Sequence, residues 1–201
     1  MSRPFSFLLS PKSYHDTHPF RTEINSQRFG EDSVEKMVAW TLENVPPSTD
    51  PRILEIGSGN GTLLFALHEA GYASACLSGL DYSPDAVKLA RMVAGARNDG
   101  SEGIAFHVCD FLSEESPSPP ARPPAASPAS APGRSDVDDA LVGRWDLLLD
   151  KGTYDAIALG EKDASGRSPV AAYPARAARS LKENGYLLVT CKPTTVIGSS
   201  F

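Results

Sequence analysis

From Arg52 onward the chain repeats one unit: a run of apolar residues, a turn rich in glycine or acid, then apolar residues at helical spacing. RILEIG (52–57) reads as a buried strand, since a continuous apolar run bounded by turn residues suits a strand covered on both faces. GTLLFALHEAG predicts a helix that stops at Gly71 as a C-cap. ACLSGLD predicts a second strand, and Ser83–Pro84–Asp85 opens a helix to about Ala96, with proline at its first position. IAFHVCD, WDLLLD and YLLVT predict three more strands, the last following a turn at Asn184–Gly185. Strands alternating with helices imply an α/β fold: a Rossmann-like, doubly wound, mostly parallel sheet. Right-handed crossovers would then line up every strand C-terminal end along one edge, where ligands bind.

The flanks follow other rules. Residues 1–30 lack periodicity and read as an irregular N-terminal arm. Asp32 or Ser33 then predicts a helix start, with Glu35 as capping-box partner and Val34, Met37, Val38 and Leu42 as one apolar stripe. Pro46–Pro47 ends that helix. Residues 113–143 include SPSPPARPPAASPASAPG, too rich in Pro, Ala and Ser to bury a core, and read as a disordered insertion. A Pro-rich recognition tract is the alternative reading of that stretch. The expected organisation is therefore an arm over 1–30 and one domain over 31–201 interrupted at 113–143.

Composition narrows the function classes. A chain of 201 residues with 41% hydrophobic and 22% charged residues suits one globular domain. A net charge of −6 and the lack of any Lys/Arg run argue against direct nucleic-acid binding and suit a basic partner. Cys76, Cys109 and Cys191 lie far apart, without the paired spacing of a zinc site; no metal is expected, and buried reduced thiols are. No stretch approaches the length of a membrane span. Cytoplasmic placement, with the nucleus as a second compartment, and a monomer are the expectations. The acid-free N-terminus before Asp16 leaves a mitochondrial presequence as the alternative.

Candidate chemistry sits at the predicted strand ends. Glu55, Gly57, Gly59 and Gly61 form E-x-G-x-G-x-G between a strand and a helix, where glycines give a tight turn and let a ligand approach the backbone. The dinucleotide fingerprint needs G-x-G-x-x-G, and its third glycine is replaced here by Thr62. A carboxylate such as Glu55 is unwelcome beside a pyrophosphate but useful beside an ammonium and a sulfonium, which points to S-adenosylmethionine. Asp81, at the second strand tip, can accept ribose hydroxyls, and Tyr82 can line the adenosine pocket. Asp110 can accept the adenine amine, with Phe111 offering an apolar face to the ring. At the fourth strand tip stands DKGTYD. Methyl transfer to an amine needs acceptors that orient the amine and an aromatic wall that desolvates it, so Asp150, Tyr154 and Asp155 are the catalytic candidates. Alignment of the reacting groups should supply most of the rate.

FGEDSVEKMVAW, ILEIGSGNGTLLFALHEAGY, LSGLDYSPDAVKLA, WDLLLDKGTYDAIAL and GYLLVT, in this order, resemble the eukaryotic elongation factor 1A lysine methyltransferases, in particular their small single-domain type. The resemblance runs from about Phe29 to Thr190, and DKGTYDAI with FGEDSVEKM is its most specific part. It implies a class I, S-adenosylmethionine-dependent protein-lysine N-methyltransferase acting on translation elongation factor 1A. Glu55, Gly57, Gly59, Asp81 and Asp110 would then hold the cofactor, and Asp150 to Tyr154 would face the incoming lysine. Within the arm, His15 stands where the family has Trp, and Arg28 where it has an aromatic. The sequence ends at Phe201, before the last helix and β-hairpin of that fold, so a truncated form is expected. A small-molecule methyltransferase and a catalytically weak cofactor-binding remnant are the alternatives.

Overall fold

The computed structural model describes residues 26–120, 144–162 and 166–190. The central apolar runs form the five strands that their continuity predicts: β1 Ile53–Ile56, β2 Leu77–Asp81, β3 Ala105–Val108, β4 Trp145–Lys151 and β5 Leu181–Thr190. They pair in parallel, in the order β3-β2-β1-β4-β5. The doubly wound, Rossmann-like α/β sheet expected from the sequence is therefore present. Its order reverses between β1 and β4, which opens a crevice at their C-terminal ends.

Among the described residues five helices pack on this sheet: α1 Ser26–Asn44, α2 Thr62–Glu69, α3 Pro84–Arg97, α4 Thr153–Ala158 and α5 Tyr173–Ser180. The two-residue period of the strands sorts the core into two layers. Ile53, Leu77, Leu147 and Leu149 face one way, against Met37 of α1, Leu63, Leu64 and Leu67 of α2, and Val87 and Ala90 of α3. Leu54, Ile56, Leu80 and Leu148 face the other way, with Phe111, Trp145, and Tyr173 and Ala177 of α5. All four residues of β1 and all five of β2 are buried, as expected for strands covered on both faces.

Several local expectations hold and others shift. Ser83 caps α3, its hydroxyl accepting from the Ala86 N–H at 3.4 Å, with Pro84 in the first turn. Gly71 is left-handed just past α2, and its N–H donates to His68 O. α1, however, begins at Ser26, so Asp32 lies inside a helix rather than at its cap. Leu42 is 39% exposed, and the buried position beside it is Thr41, whose hydroxyl turns back to donate to Met37 O at 2.7 Å. Cys76 ends a short 3-10 turn ahead of β2 and is only half-buried, while Cys109 is buried. Cys191 lies outside the described residues.

The Asn184–Gly185 turn falls inside β5. Leu181 pairs with Trp145 and Tyr186 with Leu147, so the residues between Leu181 and Tyr186 bulge out, with Asn184 left-handed. Asp146 pins this bulge: it accepts from Lys182 Nζ and from the backbone N–H of Arg52 at 2.7 Å. Burial alone would raise its carboxyl, but the Lys182 and Arg52 contacts hold it below the usual range. Of the stretch read as an insertion, residues 113–120 are described and 121–143 lie outside the described residues. The segment is tethered at Pro117, whose carbonyl accepts from the Trp145 indole N–H at 3.1 Å. Of the arm expected over 1–30, residues 1–25 are likewise outside them, while 26–30 form the first turns of α1 rather than an irregular arm. Among the described residues no helix is long and apolar enough to cross a membrane.

His68, in the last turn of α2, ties that helix to the end of α3. Its Nδ1 lies 2.9 Å from Tyr72 O and its Nε2 3.0 Å from Asp99 O. A neutral imidazole has one N–H, so only the imidazolium can donate to both carbonyls. The Asp99 and Tyr72 carbonyls accordingly raise its pKa above 6.5. Because the folded value exceeds the unfolded one, this stabilisation is complete at low pH and fades as pH rises through the folded value. A His68→Ala variant should lose about 1 kcal/mol at about pH 5.5, where the ring is charged in both states, and less at about pH 8. Urea unfolding of both proteins at the two pH values measures this; an equal loss at both would remove the charged clamp.

Candidate functional site

The crevice between β1 and β4 is framed by two turns that touch. Gly57, directly after β1, has φ +69, and a Cβ built there would lie 1.9 Å from Thr153 Oγ1. That hydroxyl donates to Ile56 O at 2.9 Å. Residue 57 must therefore be glycine on two counts, left-handed backbone and the Thr153 side chain pressed against it. Thr153 was not singled out in the sequence, although it sits within the DKGTYD motif. Gly59, at φ +54, is different: a Cβ there would meet nothing within 4 Å, so its backbone borders open space.

Asp81, at the tip of β2, sets the shape of the glycine loop. Its Oδ2 accepts from the Gly59 N–H and its Oδ1 from the Ser83 N–H, both at 2.9 Å. The loop is held further by the Ser58 N–H donating to Leu80 O at 2.9 Å. Each oxygen of Asp81 keeps a second lone pair, so the carboxylate can still accept from ligand hydroxyls. Tyr82 beside it is 80% exposed.

Glu55 is a strongly perturbed group of the site. It is 1% exposed, in register with Gly79 and Leu149, and Oε2 has no hydrogen-bond partner among the described residues. Burial pushes its carboxyl up to about 8; nearby Lys151 pulls down, while Asp150 and Asp81 push up further. An orphaned acidic oxygen and an open glycine backbone share one crevice. That pairing fits a cationic ligand with hydroxyls.

The β4 tip divides its residues between the two faces of the sheet. Strand alternation puts Lys151 on the side of Leu147, Leu149 and Glu55, and Asp150 on the other side with Leu148 and Tyr173. Asp150 is fully buried, and its donors are the Thr153 N–H at 2.8 Å, the Tyr154 N–H at 3.0 Å and the Tyr173 hydroxyl at 2.5 Å. Burial raises its carboxyl and these three donors oppose the rise. The Tyr173 hydroxyl is in turn pushed far up by burial and by Asp150. Tyr173 carried no sequence signal, since it lies in the unremarkable stretch AAYPARAARS.

The other expected residues separate. Tyr154 and Asp155, in the first turn of α4, are half-buried, with the Tyr154 ring edge-on to Tyr173 at 5.3 Å. Asp110 is exposed and caps its own turn, accepting from the Leu112 N–H at 3.0 Å and the Ser113 hydroxyl at 2.6 Å. The Ser113 and Leu112 contacts lower its pKa. Phe111 is 4% exposed with its ring 5.0 Å from that of Tyr173, so it packs in the α5 layer and leaves little face for a ligand. Gly61, at φ +85, lies against the Phe106 and Phe65 rings below the loop. Among the described residues no cluster of His, Cys, Asp and Glu could hold a metal.

Comparison with known proteins places this geometry. Residues 47–192 match a family model described as a methyltransferase domain. The protein-lysine N-methyltransferase efm4 of Schizosaccharomyces pombe is 32% identical over 184 residues, covering 84% of this chain and 67% of the relative. EEF1A lysine methyltransferase 2 of Homo sapiens is 29% identical, covering 81% of this chain and 56% of the relative. The chain thus spans between about half and two thirds of the length of these curated relatives. Among solved structures, the glycopeptide N-methyltransferase MtfA complexed with sinefungin superposes with a TM-score of 0.52 at 17% identity. It covers 80% of this chain and 53% of that one, which supports the fold. By its matched domain, its sheet order and its kinship with efm4, the chain belongs to the methyltransferase family.

Proposed function

We propose that the protein is an S-adenosylmethionine-dependent protein-lysine N-methyltransferase acting on translation elongation factor 1A. The observation that carries this reading is the contact between the E-x-G-x-G-x-G turn and the DKGTYD turn through Gly57 and Thr153, at the reversal point of the sheet. The names of the curated relatives add the substrate class.

S-adenosylmethionine supplies, when bound, a methyl carbon made electrophilic by its sulfonium. Glu55 would offer its buried carboxyl group to the cationic end, the Gly57–Gly61 loop would offer backbone, and Asp81 would accept from ribose hydroxyls. Tyr82, Asp110 and Phe111 complete the proposed adenosine side, Tyr82 by exposure and Asp110 and Phe111 by holding the β3 tip. On the substrate side a lysine must arrive neutral, against a free pKa of about 10.4. Tyr154 and Asp155 are the half-buried groups placed to strip its water and orient it. Asp150 acts as a positioning residue: its carboxylate is committed to the first turn of α4 and to Tyr173.

Calorimetry of the full chain with S-adenosylmethionine is the primary test, with Asp81→Ala expected to weaken binding about tenfold or more through the lost hydroxyl acceptors and loosened loop. A folded wild-type chain that gives no binding heat would end the enzyme reading. Methyl incorporation into elongation factor 1A, read by mass spectrometry, then tests the substrate.

Binding should also strengthen as pH rises toward about 8, because the uncharged form of Glu55 gives way to the carboxylate. Below that value each pH unit should cost up to about tenfold in affinity, and Glu55→Gln should flatten the profile. A wild-type profile already flat over that range would remove Glu55 from the site. Tyr173→Phe should lower unfolding stability by about 1.5–3 kcal/mol and reduce methyl transfer, yet leave the S-adenosylmethionine Kd unchanged. A weakened Kd in that variant would contradict the positioning role of the Asp150–Tyr173 pair.

A further inference from the structure

Lys151 stands on the Glu55 face of the sheet, apart from its motif neighbour Asp150. Glu55 is in register with Leu149, and strand alternation returns Lys151, two residues on, to the same face. Neighbouring strands lie about 4.8 Å apart and rise about 3.3 Å per residue, so the two side chains leave the sheet roughly 8 Å apart. Continued one step past the end of β1, the same register sets Lys151 level with Gly57. On its other side Lys151 pairs with Thr190 of β5, whose hydroxyl is turned to Met37 Sδ at 3.8 Å. Gly57 has no side chain, so Lys151 is the one charge that β1, β4 and β5 place in this row.

The charges around Glu55 are lopsided. Asp150 and Asp81 act on it as like charges, and Lys151 is the one cation that acts against them. Lys151 is half-buried, so its field is less screened than that of a surface lysine. S-adenosylmethionine brings three charges to such a crevice: a sulfonium, and an ammonium and a carboxylate carried on one carbon. Glu55 answers the ammonium. The carboxylate on the same carbon meets Glu55 and Asp81 as like charges, and it needs a cation beside them.

We propose that Lys151 binds the α-carboxylate of S-adenosylmethionine, so that Glu55 and Lys151 together recognise the amino-acid end of the cofactor as a zwitterion. This inference rests on the methyltransferase reading and adds a residue that selects the ligand by its carboxylate. An acid and a base on adjacent strand ends favour an α-amino acid over a plain amine. A ligand that keeps the adenosine, the sulfonium and the ammonium but lacks the carboxylate is rejected, because Lys151 then faces cations with no anion between them. Asp150, on the other face, is held by Tyr173 and takes no part in this selection. Adjacent residues of DKGTYD thus serve two purposes, Asp150 positioning α4 and α5 and Lys151 holding the ligand.

Calorimetry on the full chain compares two ligands, S-adenosylmethionine and its decarboxylated form. The wild type should bind S-adenosylmethionine roughly 10- to 100-fold more tightly, as one charge-assisted hydrogen bond contributes. Lys151→Met keeps the stem and removes the ammonium, and it should bring the two dissociation constants to within about threefold of each other. Lys151→Arg should keep most of the wild-type preference. Any change these variants make in Glu55 acts on the ammonium that both ligands carry, so it cancels in the ratio. Lys151→Ala repeats the measurement should the methionine variant fail to fold. A wild type that binds both ligands equally, or a Lys151→Met variant that weakens both alike, overturns the proposal and leaves the cofactor reading standing. A folded wild type that binds neither ligand ends both.

Discussion

The carboxylate of Asp150 holds together the part of the molecule on which the site depends. It lies at the end of a central strand, wholly removed from water, where an acid survives only if its lone pairs are filled. The donors that fill them come from two places: the first turn of α4 and the hydroxyl of Tyr173 on α5. One desolvated group therefore fixes two helices relative to β4. The Tyr173 ring meets Tyr154 edge-on at 5.3 Å and Phe111 at a tilt at 5.0 Å between centroids. The layer under the β4 side of the crevice is thus a polar anchor wrapped in aromatic surface.

Much of the fold was legible because buried parallel strands write themselves as unbroken apolar runs. ILEI and LLL need no alternation when helices cover both faces. The glycine turn was legible for a related reason, since only glycine fits where Thr153 presses on residue 57. The fate of individual polar residues was less readable. Asp150 and Lys151 are neighbours in sequence, yet alternation sends them to opposite faces, and it is Lys151 that lies on the side of Glu55. The sequence motif DKGTYD presents all its polar groups as one cluster, whereas the strand end separates them.

Tyr173 shows the other limit. Its partner Asp150 is remote in sequence, and a tyrosine among alanines carries no periodic or motif signal. Only the packing of α5 onto the sheet reveals the pair. The start of α1 was misplaced because Asp32 and Glu35 imitate a capping box inside a helix that begins at Ser26. At β5, Asn184–Gly185 was rightly a turn signal, but the chain uses it as a bulge within a strand pinned by Asp146 and Lys182. Local chemistry proposes the bend, and the long-range ion pair decides where the strand resumes.

The bonds that Asp81 makes to the N–H groups of Gly59 and Ser83, with the hydroxyl of Thr153 on Ile56, set the glycine loop by the protein's own contacts. Such a loop is preorganised. Little conformational entropy is left to lose when a ligand arrives, so more of the contact energy appears as affinity. The same rigidity works against adaptation. A loop wedged between a strand tip and a threonine cannot widen to admit a bulkier ligand, and selectivity follows from stiffness as much as from chemistry.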